Sequence, residues 1–269
     1  MNDKKDLDSR LQNRKNVSRI EMLDRALSVI EYIFKNKDVS FSMILKDLKI
    51  SKSTLFRILY TLESHNYIKK DKETGRYSLG TLFVFYGEEV KYGLTLIKIC
   101  EDILSTLANK VGESVNLNIL YKELVLNVLS VEGEKSVLTS RLIPISPLNC
   151  SATGKIFLAR KNNLELMNYF ASDAWEKRTM NSITTYEDFL KEKEKILKDE
   201  ISYDNEEYEY GLLCLAMPLR NHKGLMDAVI SITGPLTRIK MKGIDELSEE
   251  LKNSVNTINN ILIKTKYTY

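Results

Sequence analysis

Four polar side chains between residues 53 and 61 occupy positions that share one face of a helix. They are Ser53, Thr54, Arg57 and Thr61. Hydroxyl groups donate and accept hydrogen bonds, and an arginine guanidinium is a forked donor that matches the acceptors of a guanine edge. Because these groups suit the major groove, the pattern predicts a surface that reads DNA bases.

The opposite face of the same segment is apolar and defines the helix. Leu55, Ile58, Leu59 and Leu62 follow the i, i+3, i+4, i+7 spacing that forms one buried stripe. Ser51 stands where an N-cap hydroxyl would accept a backbone N–H. The sequence therefore predicts a helix that begins after Ser51 and buries its leucines.

A second, short apolar helix is predicted after Ser40. It ends at Lys49 and Ile50, directly before the Ser51 cap, which gives the tight joint of a helix-turn-helix unit. Apolar residues at helical spacing between 23 and 34 predict a further helix that closes the core.

Two short strand-like segments, 67–70 and 76–79, enclose a charged turn that contains Gly75, as in a wing. We therefore interpret residues 18–80 as a winged helix-turn-helix DNA-binding domain. The four polar side chains of the helix are predicted to face the DNA bases. Contacts to DNA phosphates are predicted for Lys52, Lys72 and Arg76. A small helical domain with ordinary solvated charges is the alternative, because helix-turn-helix patterns give many false positives.

Charge is distributed unevenly along the chain. Residues 1–80 contain 17 Lys and Arg against 11 Asp and Glu, a net charge of +6, whereas the remainder has 23 against 26, a net charge of −3. A basic N-terminal domain is expected of a phosphate-binding module. Residues 1–17 contain little that could be buried, so we expect a mobile arm that is either solvated or in contact with phosphates.

The length of 269 residues favours two domains, and the composition excludes several classes of protein. No apolar run is long enough to span a bilayer, and the N-terminus lacks the continuous apolar core of a signal peptide, so a cytoplasmic protein without a membrane partner is expected. Cys100, Cys150 and Cys214 lack metal-ligand spacing, so neither a metal nor a cofactor is predicted. A cysteine-dependent enzyme would need a nearby base, yet His65 falls in the helical domain and His222 in a turn; no enzyme is predicted.

Residues 81–103 are predicted to form a linker helix, interrupted near Gly87 and Gly93 where one helix ends and another begins. Beyond it, alternating segments predict strands at 114–121, 124–131, 136–145, 211–219 and 225–233. Helical spacing predicts helices at 152–160, 164–170, 188–201 and 244–263, the last with a stripe that is either core or an oligomer seam. The predicted fold is α+β, with a sensor-like (GAF/PAS-like) antiparallel sheet and packed helices over residues 104–269.

Three blocks of sequence, in order, resemble the IclR-type transcriptional regulators from about Ser18 to Ile263. The blocks are 51–62 with 75–80, 147–155, and 204–207 with 211–218 and 231–235. The resemblance implies winged-helix domains on effector-binding bodies that assemble as homodimers or homotetramers on a palindromic operator. The chain departs from the family at Asn149 and Cys150, where His and Ala are usual, so we expect its effector to differ from those of better-matched relatives.

The resemblance also implies a binding site for a small effector, often one that bears a carboxylate. The matching positions are Leu138, Ala152, Thr153, Asp204, Cys214, Ser231 and Thr233. A helix start at 151–154 suits an anion independently of the family, because its N–H groups and dipole favour negative charge. We therefore expect an organic acid to control DNA binding.

From spacing alone, a simpler interpretation of these residues stays open. Ser231 and Thr233 are alternate residues on one face of a strand, and Cys214 is a small buried apolar side chain. The corresponding functional alternative is a ligand-independent DNA-binding protein whose C-terminal domain only oligomerises. A filled interior would favour that alternative, whereas a cavity of a few hundred Å³ with convergent polar groups would favour a sensor.

Overall fold

The computed structural model describes residues 20–134 and 145–267 of the chain. The chain divides between Val90 and Lys91 into two compact units, which we call the head and the body. The predicted linker, residues 81–103, contributes to both units. The predicted N-terminal arm lies outside the described residues.

Over residues 20–79, the head contains three helices and a two-stranded hairpin. These elements are α1 (Glu21–Asn36), α2 (Phe41–Leu48), α3 (Lys52–Ser64), β1 (Ile68–Lys70) and β2 (Tyr77–Leu79). Their apolar faces form one core that contains Val29, Ile33, Ile44, Leu59 and Ile68. The leucine stripe predicted for α3 is its buried face, which confirms the winged helix-turn-helix prediction.

Serine caps fix where the two helices of the helix-turn-helix unit begin. The Ser40 hydroxyl accepts from the Met43 N–H at the start of α2, and the Ser51 hydroxyl accepts from the Thr54 N–H at the start of α3. Between them, Lys49 adopts a left-handed conformation and reverses the chain after α2. The predicted tight joint is confirmed.

The second unit is built around a six-stranded sheet. After α4 (Leu82–Gly93), which contains the division point, its elements are α5 (Thr95–Val111), β3 (Ser114–Tyr121), β4 (Leu124–Val131), β5 (Ile145–Pro147), α6 (Ala152–Ala159), α7 (Asn163–Ala171), α8 (Tyr186–Asp199), β6 (Ser202–Asn205), β7 (Leu212–Arg220), β8 (Met226–Pro235), α9 (Leu236–Lys242) and α10 (Ile244–Lys264). The strand order is β5-β4-β3-β8-β7-β6, and each neighbouring pair is antiparallel. The predicted α+β architecture is confirmed.

Helices cover both faces of this sheet. On one face, α5 and α10 pack against Leu117, Leu215 and Ile230. The apolar stripe of α10 is buried there, so it belongs to the core. On the other face, α6, α7 and α8 form a second core with Ala216 and Val229. Because both faces are covered, β7 is buried at eight successive positions, on both faces of the sheet.

The structure differs from the predicted elements at three places, and one predicted strand lies mostly outside the described residues. The predicted strand at 136–145 falls outside the described residues except for Ile145, where β5 begins. β6 and α9 were not predicted, because β6 has only four mainly polar residues and α9 only seven residues. The helix predicted at 188–201 is α8, which begins two residues earlier because the Thr185 hydroxyl caps it.

Candidate functional site

The exposed face of α3 carries most of the predicted DNA-contacting side chains. Lys52, Ser53, Arg57 and Thr61 are exposed, and Thr54 is half-buried. The hydroxyl of Ser51 donates to Thr54 Oγ1 at 2.8 Å, and the hydroxyl of Thr61 donates to the Arg57 carbonyl at 2.8 Å. The Thr61 donor is therefore engaged within the helix, while Thr61 Oγ1 keeps its ability to accept.

The turn of the wing is held by its own first residue. Asp71 Oδ1 accepts from the N–H groups of Glu73 and Thr74 and from the Thr74 hydroxyl, at 2.7 to 3.0 Å. These hydrogen bonds hold the pKa of Asp71 below its usual value. Gly75 closes the turn with a φ of +68°, which favours glycine. Lys72 is thus an exposed cation on a well-defined turn.

Arg76 differs from the other predicted phosphate contacts because its guanidinium already has partners. Its Nη1 donates to the Asp38 carbonyl at 2.9 Å and lies 3.5 Å from Asp38 Oδ2. Next to it, Val39 and Tyr77 form a bridge that joins the loop before α2 to β2. Arg76 therefore ties the wing to the helical part of the head as well as presenting a positive charge.

In the body, the structure brings together six of the seven residues predicted to bind an effector. They surround a cavity of about 70 Å³ between the start of α6 and the sheet: Ala152, Thr153, Asp204, Cys214, Ser231 and Thr233. The seventh, Leu138, lies outside the described residues. The cavity has the convergent polar groups expected of a sensor but is smaller than a typical ligand pocket.

The register of the sheet explains how residues distant in sequence meet at this cavity. Asp204 in β6 pairs with Cys214 in β7, which pairs with Thr233 in β8. Ser231, which lies two residues before Thr233 in β8, pairs with Asn116 in β3. Opposite residues of antiparallel strands point to the same face. These side chains therefore form adjacent rows under the start of α6.

Sequence reasoning missed the asparagines of this cavity. Asn116, Asn118 and Asn127 line it. Asn118 Nδ2 donates to Ser231 Oγ at 3.2 Å, and Asn116 Oδ1 accepts from Asn127 Nδ2 at 3.1 Å. The available signal was the alternation of asparagine with apolar residues in β3, which predicted the strand but not the role of its asparagines. The other lining residues that the sequence did not indicate are Ser146, Tyr208 and Leu212, whereas Ser151 belongs to the predicted helix start.

The start of α6 forms one wall of the cavity. The Ser151 hydroxyl donates to the Pro147 carbonyl at 2.7 Å and accepts from the Gly154 N–H at 3.1 Å. A side chain at Gly154 would collide with the backbone of Pro147 and Leu148. Glycine thus allows the helix start to pack closely against β5, and the N–H groups of the first turn have no intrahelical partner. This geometry suits an anion.

Asp204 is the acidic group of the cavity. Its Oδ1 accepts from the Glu207 N–H at 2.8 Å and from the Tyr208 N–H at 3.2 Å. Burial raises the pKa of Asp204 to about 6, and the two hydrogen bonds and the charge of Lys155 oppose that shift. Asp204 therefore titrates near neutral pH and shapes the loop that carries Tyr208.

A buried ion pair joins that loop to α6. Lys155 is 1% exposed, and its Nζ lies 2.5 Å from Glu207 Oε1 and 3.2 Å from Glu192 Oε1. Burial raises the pKa of Glu207 to about 7, against the opposing charge of Lys155. Glu207 Oε2 has no partner among the described residues. The pair connects two walls of the cavity, so Glu207 holds the fold.

Two family models match the chain. The model described as "IclR helix-turn-helix domain" matches residues 22–72, and that described as "Bacterial transcriptional regulator IclR C-terminal" matches residues 90–260. The chain belongs to the IclR family of bacterial transcriptional regulators. It is a transcriptional regulator with a DNA-binding head, as the resemblance implied.

Relatives named as regulators extend over most of this IclR-family chain. The DNA-binding transcriptional repressor YiaJ of Escherichia coli is 29% identical over 217 residues, which are 79% of this chain and 77% of that protein. The transcriptional repressor IclR of Escherichia coli is 25% identical and covers 82% of each chain. The crystal structure of the Thermotoga maritima IclR has a TM-score of 0.63 at 30% identity, covering 91% of this chain and 100% of that one.

The departure from the IclR family at residues 149 and 150 lies behind the cavity. Asn149 is fully buried, and its Nδ2 donates to the carbonyls of Glu176 and Ile183, both at 2.7 Å. Cys150 is buried as well. Neither residue lines the cavity. Asn149 thus holds the segment after α7 in place.

The cysteines of this regulator are poorly suited to nucleophilic chemistry. Cys100, Cys150 and Cys214 are all buried, and burial raises the pKa of each thiol to about 12. Thr233 Oγ1 donates to Cys214 Sγ at 3.2 Å. Over residues 20–134 and 145–267, no group of three or more His, Cys, Asp or Glu side chains could hold a metal ion. No helix within those ranges is long and apolar enough to cross a membrane.

Proposed function

We propose that this chain is a sequence-specific regulator of transcription whose affinity for DNA is controlled by a small organic acid bound in the body. The observation that carries the proposal is the meeting of six predicted residues from β6, β7, β8 and α6 around one polar cavity. The IclR-family head supplies the DNA-binding half of the proposal.

On the DNA side, α3 enters the major groove, with Arg57 and the hydroxyls of Ser53 and Thr54 facing base edges. Thr61 lies one turn beyond Arg57, where its oxygen accepts a hydrogen bond from a base. The cations assigned to phosphates are Lys52, Lys72 and Arg76. Two observations support these assignments. The cations are exposed, and the Ser51 cap leaves the first residues of α3 accessible.

On the effector side, the carboxylate binds the free N–H groups of Ala152 and Thr153 at the start of α6. Ser231 Oγ accepts from Asn118 Nδ2 and, when a ligand is bound, donates its own hydrogen to the carboxylate. The hydroxyl of Thr233 turns from the weak acceptor Cys214 Sγ towards the ligand. Asp204 accepts from a ligand hydroxyl, and Leu138 forms an apolar wall.

The regulator assembles as a dimer or tetramer in which two heads pair through α1 and α4. Both α1 and α4 expose apolar side chains. The exposed fractions are 55% for Leu23, 50% for Leu27, 67% for Val84 and 67% for Phe85. Burying them against a second copy removes apolar surface from water. The paired heads read a palindromic operator, because a two-fold protein matches a two-fold site.

A thermal-shift screen tests the effector site without knowledge of the operator. Acetate, glycolate, lactate, succinate and benzoate are each added to the full chain, and unfolding is followed by the fluorescence of Trp175, the single tryptophan, which lies in the body. A ligand at 100 times its dissociation constant stabilises the folded state by about 2.7 kcal/mol. The shift should disappear in Ser231→Ala/Thr233→Ala, and a shift that persists there would place the ligand elsewhere.

The small cavity volume favours one alternative function, a DNA-binding protein whose body only oligomerises. A filled body would pack the polar residues against one another and leave no room for a ligand. The same screen separates the two functions, because this alternative predicts that none of the acids shifts the unfolding of the body.

A further inference from the structure

Helix α3 exposes two aromatic side chains beside its polar face. Phe56 is 65% exposed and Tyr60 is 67% exposed. They are four residues apart, so they are neighbours on the helix surface. A single exposed apolar residue is ordinary. Two adjacent aromatic rings beside the residues assigned to DNA form an apolar patch of the kind that contacts a partner.

The surroundings of Phe56 are cationic. Phe56, Phe41, Ser53, Lys52 and Arg57 line one shallow depression on the head. The first turn of α3 contains no acidic residue, and the start of a helix carries a partial positive charge. An anionic partner is therefore attracted to the surface on which the phenyl ring lies.

This charge argues against a second copy of the chain as the partner. In a two-fold interface the same patch lies on both copies, so Lys52 and Arg57 would face their own equivalents. Like charges at such an interface repel. DNA supplies the complementary charge and, in its major groove, also an apolar group for the ring.

We propose that Phe56 contacts the C5 methyl group of a thymine next to the base read by Arg57, and that it is a specificity-determining residue of this regulator. The inference rests on the proposed entry of α3 into the major groove. The thymine methyl is the apolar group that the major groove presents, and a phenyl ring has no hydrogen-bonding atom with which to read anything else. Phe56 precedes Arg57 directly, so their contacts fall on neighbouring bases.

The test removes single methyl groups from the DNA. Sites are selected from random double-stranded DNA with the full-length protein, and each thymine is then replaced by deoxyuridine. Wild type should lose about fourfold in affinity at one thymine per half-site, the factor expected for one buried methyl group. Phe56→Ala should bind the thymine and deoxyuridine sites equally.

Arg57→Ala is the matched control. It should weaken binding to both sites and keep the fourfold ratio between them, because it removes a different base contact. Phe56 is about two-thirds exposed, so Phe56→Ala should keep the helical circular-dichroism spectrum of wild type.

The contrary outcomes distinguish failure of this inference from failure of the proposed function. A selected site without thymine, a wild type indifferent to every replacement, or a Phe56→Ala that keeps the fourfold ratio would overturn the inference. A change in the oligomeric state of Phe56→Ala by light scattering would also overturn it and assign the patch to contacts between copies. If no sequence were enriched at all, the proposed sequence-specific function itself would be contradicted.

Discussion

In the head, the side chains assigned to DNA come from one helix and one turn and lie mainly in solvent. The cavity of the body is lined by buried and half-buried side chains from seven separate elements. An exposed site on one helix needs only that the helix folds. A buried site also needs strand register, a covering layer of helices and partners for its charges. The comparison predicts that substitutions in the head change binding with little change in stability, and that substitutions in the body change both.

The largest expected effect is on the stability of the body. Lys155→Met removes the cation of the buried pair and leaves Glu207 and Glu192 facing each other. Breaking a buried pair by removing one partner costs about 3–5 kcal/mol. Urea unfolding followed by Trp175 fluorescence should show this loss at pH 8, while DNA affinity of the folded protein stays close to wild type.

A double variant, Lys155→Met/Glu207→Leu, is the matched control. It removes both charges and the unpartnered Glu207 Oε2, so most of the lost stability should return. A single variant as stable as wild type would show that the pair does not hold the two cavity walls together.

The second effect is a dependence of body stability on pH. Asp204 has a folded pKa of about 6, above its unfolded value, so the folded state retains a proton that the unfolded chain releases. Its contribution is fully present below about pH 4 and is lost as pH rises through 6, by roughly 3 kcal/mol at 1.36 kcal/mol per pKa unit. Asp204→Asn should flatten this decline in urea unfolding between pH 4 and 8; an unchanged slope would contradict the assignment. Glu207, with a pKa raised to about 7, adds a decline of similar size that continues to about pH 8, so Asp204→Asn should remove about half of the total slope.

A smaller effect separates base reading from phosphate binding in the head. Arg57→Ala should cost about 1–3 kcal/mol on a selected site and little on random DNA. Lys72→Ala should weaken both alike and reduce the slope of log affinity against log salt by about one. Titrations at several salt concentrations distinguish the two, and an Arg57→Ala with wild-type affinity at physiological salt would remove α3 from the groove.

The head could be predicted almost completely from the sequence because its signals are local. The leucine stripe of α3, the serine caps and the Gly75 turn each depend on residues within a few positions of one another. The sequence did not indicate the contact between the wing and the loop before α2. The Arg76 guanidinium reaches Asp38, which is 38 residues away, and no spacing rule indicates it.

The cavity was predicted through family resemblance, and its missed residues show what local patterns lack. Asn116 and Asn118 alternate with apolar residues, a pattern typical of a strand with one solvated face, but α6 covers that face here. Lys155 is 52 residues from Glu207, so its burial could not be inferred. Polar residues in a strand can be assigned only when both layers over the sheet are known.

The most direct test of the account is the effect of an effector on DNA affinity in wild type and in Ser231→Ala/Thr233→Ala. An acid that stabilises the body in the screen should change the dissociation constant of a selected site by about 5–150-fold in wild type, a coupling of roughly 1–3 kcal/mol. In the double variant the change should disappear while ligand-free affinity stays within about twofold. A double variant that responds like wild type would contradict control through this cavity.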